Sequence, residues 1–195
     1  MSTGYALNLL ITVPIAAGLV ALALGRRLSL LTKILAVAVT LLALWASISL
    51  FQMSGKAGGV VLLSAGDALG KGWADRPLFF VDSLNAFVLL MAGFFSLAMV
   101  LYSVGFLKDD QTPAGLYYAN FLWVVASVAA TILARDLLVL VFFWGLMGIP
   151  FYLLVSAGGP KSDAAAKKSL IILGGSDSLL ILGVALIHRL TGNLD

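Results

Sequence analysis

The chain has no cysteine, no glutamate and a single histidine, and only 11% of its 195 residues are charged. Without cysteine there is no disulfide, no thiolate ligation of an iron–sulfur cluster and no cysteine nucleophile, and the redox compartment stays open. With His188 alone, neither a bis-histidine haem nor a histidine-rich metal site can be built from this chain. The stretch "VLLSAGDALGKGW" has glycines and a lysine but not the spacing of a phosphate loop, and no soluble helix follows it. No cofactor and no metal is therefore expected in this chain, and no catalytic chemistry of its own. The net charge of +3 comes from twelve Lys and Arg spread between apolar runs, which read as topology determinants and not as a nucleic-acid surface.

What the chain does have is hydrophobicity. Hydrophobic residues make up 62% of it and the mean hydropathy is +1.09, against a soluble-domain norm of roughly 25% charged residues. Apolar runs lie at roughly 5–25, 31–51, 84–107, 117–134, 137–157 and 164–190, each near the length that about 30 Å of hydrocarbon requires. The runs do not alternate as barrel strands would, so helices must satisfy the backbone in lipid. The expected fold is an all-α polytopic membrane bundle of six transmembrane helices in one domain over residues 1–195.

Charge placement orients it. With the N-terminus outside, Arg26, Arg27, Lys33, Lys108, Lys161, Lys167 and Lys168 fall inside, and Lys56, Lys71, Arg76, Arg135 and Arg189 fall outside. The bias favours N-out and C-out in a prokaryotic cytoplasmic membrane. Arg26 and Arg27 follow the first run, the wrong order for a cleaved signal peptide, so the first span is expected to stay in the mature protein. The long connection "SGKAGGVVLLSAGDALGKGWADRP" mixes Gly-rich turns with short apolar runs and predicts a small surface hairpin. Tyr117, Tyr118 and Trp123 read as an interfacial belt at the start of the fourth helix.

The ionisable residues inside these runs are the candidates for function, because a charge at the helix centre costs about 2.5–3.5 kcal/mol. Lys168 and Asp177 sit in the sixth run, nine residues apart, which on a helix is about 13.5 Å and opposite faces. They cannot pair with each other. Lys168 can snorkel to headgroups; Asp177, embedded in "GGSDS" between Ser176 and Ser178, is too short to do so. His188 lies nearly back on the Asp177 face and either extends a proton stripe or anchors the helix end beside Arg189. In the fourth helix Asn120, Ser127 and Thr131 share a face that either lines a hydrated crevice or makes interhelical hydrogen bonds.

Three stretches occur together in order: "FFVDSLNAFVLLM", "RDLLVLVFFWGLMGIPFYLLV" and "AAAKKSLIILGGSD". They resemble the antiporter-like subunits of respiratory complex I, multisubunit cation/proton antiporters and membrane-bound energy-converting hydrogenases. The resemblance corresponds to the first six helices of a larger bundle that contains inverted repeats. It implies that Lys168 and Asp177, which match the family's lysine-to-aspartate spacing, belong to a buried chain of charges and water that passes protons or sodium. Ser176 replaces the glycine usual before that aspartate.

The family's Trp-Glu-Leu-Met in the fifth helix is here Trp144, Gly145, Leu146 and Met147, so Gly145 stands where a carboxylate is expected. The resemblance also implies a host complex, NADH-dehydrogenase-like or hydrogenase-like, whose other membrane subunits are the partners, along with the bilayer. One of those chains would supply the helices this sequence lacks. Two other readings follow from the departures: a reduced subunit serving as structural adaptor, or one piece of a split antiporter subunit.

Overall fold

The computed structural model describes residues 6–25, 28–57, 59–64, 77–106, 114–158 and 162–192. Six helices follow in chain order. A π-helical turn over Asn8–Thr12 runs directly into α1 (Val13–Leu24), and the others are α2 (Ser29–Ala57), α3 (Ser83–Phe106), α4 (Ala114–Leu133), α5 (Leu137–Ser156) and α6 (Asp163–Thr191). α2 to α6 are each long and apolar enough to cross a membrane; the first helical segment, Asn8–Leu24, is shorter. Large apolar side chains such as Leu84, Phe95, Ile171, Ile172 and Leu179 point outward, as they do in a bundle whose solvent is lipid. The chain is a multi-pass membrane protein. Arg26, Arg27, Lys71, Arg76, Lys108 and Lys161, on which the orientation rests, lie outside the described residues.

Helix ends follow local chemistry. The Asp82 Oδ1 accepts from Asn85 N at 2.7 Å at the start of α3, and Asp136 Oδ1 accepts from Leu138 N (2.8 Å) and Val139 N (3.4 Å) at the start of α5. Each satisfies amides that the first turn leaves without partners. Gly25 ends α1 at φ 57°, a conformation that side chains with a Cβ avoid.

Between α2 and α3, strands β1 (Val60–Ser64) and β2 (Pro77–Val81) form the antiparallel hairpin that the Gly-rich connection predicts, pairing Val60 with Val81 and Val61 with Phe80. The segment that closes it, 65–76, lies outside the described residues. The hairpin also reaches the α4–α5 junction: Arg135 N donates to Leu78 O at 3.0 Å, and the Arg135 guanidinium lies 4.8 Å from the Phe80 ring centre. Leu62, Phe79 and Val81 there cover Leu10, Leu50, Leu89 and Leu133, so the largest apolar cluster sits beneath the hairpin.

α4 is the hub, packed on α1, α2, α3 and α5, whereas the substantial packing of α6 is against α5 alone. Small residues let α1 and α4 approach. A Cβ on Gly18 would collide with the Trp123 indole, and one on Gly115 would lie 2.5 Å from Ala21 O.

The interfacial belt expected for Tyr118 and Trp123 is corrected by this packing. α4 begins three residues earlier than its apolar run, at Ala114, so these rings sit deeper in the bundle than the sequence suggests. Tyr118 is fully buried, with its hydroxyl accepting from Ser103 Oγ at 3.2 Å. Trp123 Nε1 donates to Ile15 O of α1 at 3.2 Å.

Candidate functional site

Asp177 is the middle residue of α6, fourteen residues or about 21 Å from either end. Most of the less exposed positions of that helix, Ala166, Ser169, Leu173, Asp177, Leu180 and Val184, recur every three or four residues and form the seam that meets α5. Asp177 therefore points at α5. There Trp144 Nε1 donates to its Oδ1 at 2.9 Å. The two residues line a cleft of about 70 Å³ together with Met147, Gly148, Phe151 and Leu173. A half-buried carboxylate, an indole donor and room for water at mid-helix form a site able to hold a cation or pass a proton.

The other residues singled out by sequence are not gathered around Asp177. Lys168 is exposed, five residues into α6 and off the α5 seam, as the nine-residue spacing requires. His188 is exposed about 16.5 Å further along the axis. The Trp144–Asp177 bond sets the antiparallel register, and it puts His188 level with residue 133, before α5 begins. Ser176 Oγ donates to Leu173 O at 2.7 Å and Ser178 Oγ to Gly174 O at 2.9 Å, so both hydroxyls bond to their own helix.

On α4, Asn120 and Ser127 are buried and Thr131 is half-buried. Asn120 Nδ2 donates to Leu116 O (2.7 Å) and Thr131 Oγ1 to Ser127 O (2.9 Å), again within one helix. Asn120 Oδ1 is buried and has no hydrogen-bond partner among the described residues.

Trp144 is the residue that sequence reasoning missed. Its signal was present: an indole donor beside Gly145 on the helix that pairs antiparallel with α6. A tryptophan in an apolar run reads as packing, and only the register between α5 and α6 reveals the acceptor. At Gly145 itself, an added Cβ would meet nothing within 4 Å.

By architecture the chain falls in the class of multi-helix membrane bundles that carry a hydrogen-bonded carboxylate at mid-helix. Comparison with known proteins narrows this class. Residues 134–195, which hold α5 and α6, match the family described as NADH:quinone oxidoreductase/Mrp antiporter, TM. NADH-quinone oxidoreductase subunit N of Desulforudis audaxviator is 31% identical over 117 residues, which is 59% of this chain and 23% of that protein. Na(+)/H(+) antiporter subunit A1 of Staphylococcus haemolyticus is 32% identical over 126 residues, 58% of this chain and 15% of that protein.

A chain of the Mrp complex from Dietzia superposes with a TM-score of 0.80 at 25% identity, covering 100% of this chain and 36% of that chain. The chain is thus similar to membrane subunits of these complexes. It spans less than a quarter of the two curated relatives and about a third of the solved chain.

Proposed function

We propose that this protein is a membrane subunit of a proton- or sodium-translocating oxidoreductase or antiporter complex, in which Asp177 forms part of the ion path. The observation that carries the reading is the position of Asp177: the midpoint of α6, on the α5 seam, with its carboxylate held by Trp144 across a cleft. The similar proteins, an NADH-quinone oxidoreductase subunit and a Na(+)/H(+) antiporter subunit among them, support it. Lys168 and His188 would serve toward the two ends of the same helix. Partner membrane subunits would cover the faces of α5 and α6, and any redox chemistry and any cofactor would belong to those partners. The chain would sit N-out in a prokaryotic cytoplasmic membrane.

The test replaces Asp177 with Asn, and separately Lys168 with Ala, in the assembled complex, and measures proton pumping in inverted vesicles alongside assembly on native gels. Loss of pumping with intact assembly is the expected result. Unchanged pumping with intact assembly would overturn the reading in favour of a structural adaptor, the alternative that Gly145 suggests.

A further inference from the structure

α2 and α3 pack closely around Gly93, where an added Cβ would lie 3.3 Å from Ser47 Oγ. Gly93 and Ser47 also line a cavity of about 20 Å³ between α2, α3 and α4. Leu10, from the π-helical turn, closes one side of it, and Val125 and Ala129 of α4 close another. Only two side chains in this lining are polar, Ser47 and Ser96. Ser47 is fully buried and Ser96 half-buried. Their protons are already committed: Ser47 Oγ donates to Ala43 O at 2.8 Å and Ser96 Oγ to Ala92 O at 2.7 Å, each within its own helix. A hydroxyl that donates still keeps its lone pairs, and among the described residues no donor reaches either oxygen. Two acceptors, one from each helix, thus border a single small cavity.

We propose that this cavity binds one water molecule, which donates one hydrogen bond to Ser47 Oγ and the other to Ser96 Oγ and so links α2 to α3 inside the bundle. Size and chemistry both select water. A buried water needs room of about 10–15 Å³ and two to four polar partners; the cavity supplies the room and two acceptors. A lipid tail is the competing occupant, because Ala92, Ser96 and Val128 are half-buried and make their side of the cavity the accessible one. A methyl group there would leave both oxygens against hydrocarbon with their lone pairs unmet, whereas water satisfies them. The inference is independent of the ion path, because no residue of the lining belongs to α5 or α6.

The test is water–methyl cross-relaxation by NMR on the full chain in lipid nanodiscs, with the alanine methyls ¹³C-labelled. The methyls of Ala43 and Ala92, which line the cavity, should each show a cross-peak to water, and Ala36, two turns from Ala43 on α2, should show none. Ser47→Ala and Ser96→Ala should each abolish the peaks that remain at the cavity. In equilibrium unfolding each single substitution should raise the unfolding constant about threefold, the size of an average interhelical hydrogen bond in a membrane. The double variant should also stop at about threefold, because either substitution alone already releases the water, whereas two serines acting separately would give about ninefold. The wild-type spectrum decides the question even if a variant fails to fold. No water cross-peak to Ala43, a cross-peak to lipid tails in its place, or an equally strong water peak to Ala36 would each overturn the inference, and so would the ninefold effect of the double variant.

Discussion

Replacing Trp144 with Phe removes the indole N–H that meets Asp177 and keeps an aromatic ring on α5. The bond is 2.9 Å long and its acceptor is a carboxylate, a class worth about 1.5–3 kcal/mol when broken. Two facts move this one to the low end. The cleft of about 70 Å³ exceeds the ~30 Å³ share of a water molecule, so water can replace the lost donor. Interhelical hydrogen bonds in membranes also average only about 0.6 kcal/mol and reach about 1.7. A coupling of about 1.5 kcal/mol between α5 and α6 is the expected value.

A double-mutant cycle of Trp144→Phe and Asp177→Ala, read by equilibrium unfolding in mixed micelles, measures it directly. An independent reading comes from the indole N–H resonances of ¹⁵N-tryptophan-labelled protein. The chain has four tryptophans, so the resonance lost in Trp144→Phe is identified at once, and it should move upfield in Asp177→Ala. A coupling indistinguishable from zero, or an unmoved resonance, would refute the claim that Trp144 holds Asp177.

Further predictions concern the frame that positions this pair. Gly18→Val forces a side chain into the Trp123 indole and should destabilise the bundle by about 1–3 kcal/mol, with the penalty shrinking in a Trp123→Leu background. Asp136→Ala deletes the cap on α5 and should cost about 1 kcal/mol in the same unfolding assay, with Asp136→Asn recovering most of it.

The helices were legible because lipid imposes one rule, an unbroken apolar run with its backbone satisfied internally, and the composition obeys it. The hairpin was legible too, since the short β-branched run in "GVVLL" reads as a strand and the glycines around it permit the turns that a hairpin needs. Tyr118 and Trp123 were not. Their aromatic character fits an interface, and their packing depends on Ser103, beside Tyr118, and Gly18, beside Trp123, residues remote in sequence whose small size becomes visible only when helices meet. The face of Asp177 followed from helical periodicity, and its separation from Lys168 was plain from nine residues at about 100° each. Its partner was not legible, because which α5 residue stands level with Asp177 is set by the short α5–α6 connection. One residue of slip would bring Gly145 or Phe143 there instead.

The same arithmetic constrains what lies against α5 and α6. A carboxylate at the centre of a membrane helix costs about 2.5–3.5 kcal/mol, and the Trp144 bond returns only about 1.5. The remainder, about 1–2 kcal/mol, has to come from water or from protein packed against that edge. Gly145 offers a direct probe of which environment is there. It is the ninth of the twenty residues of α5, close to mid-span, and a Cβ added there meets no atom within 4 Å, so sterics contribute nothing to Gly145→Ala. Gly145→Ala should stabilise the helix by up to about 0.8–1 kcal/mol through propensity alone, which sets the baseline. If lipid covers that face, Gly145→Glu should lose the full 2.5–3.5 kcal/mol relative to Gly145→Ala, or fail to insert. If partner protein or a hydrated path covers it, Gly145→Glu should accumulate and assemble at wild-type levels. The second outcome is the one expected if the cover that stabilises Asp177 extends over the neighbouring face of α5; failure to insert in the assembled complex would mean that this cover stops at the cleft lined by Trp144, Met147, Gly148 and Phe151.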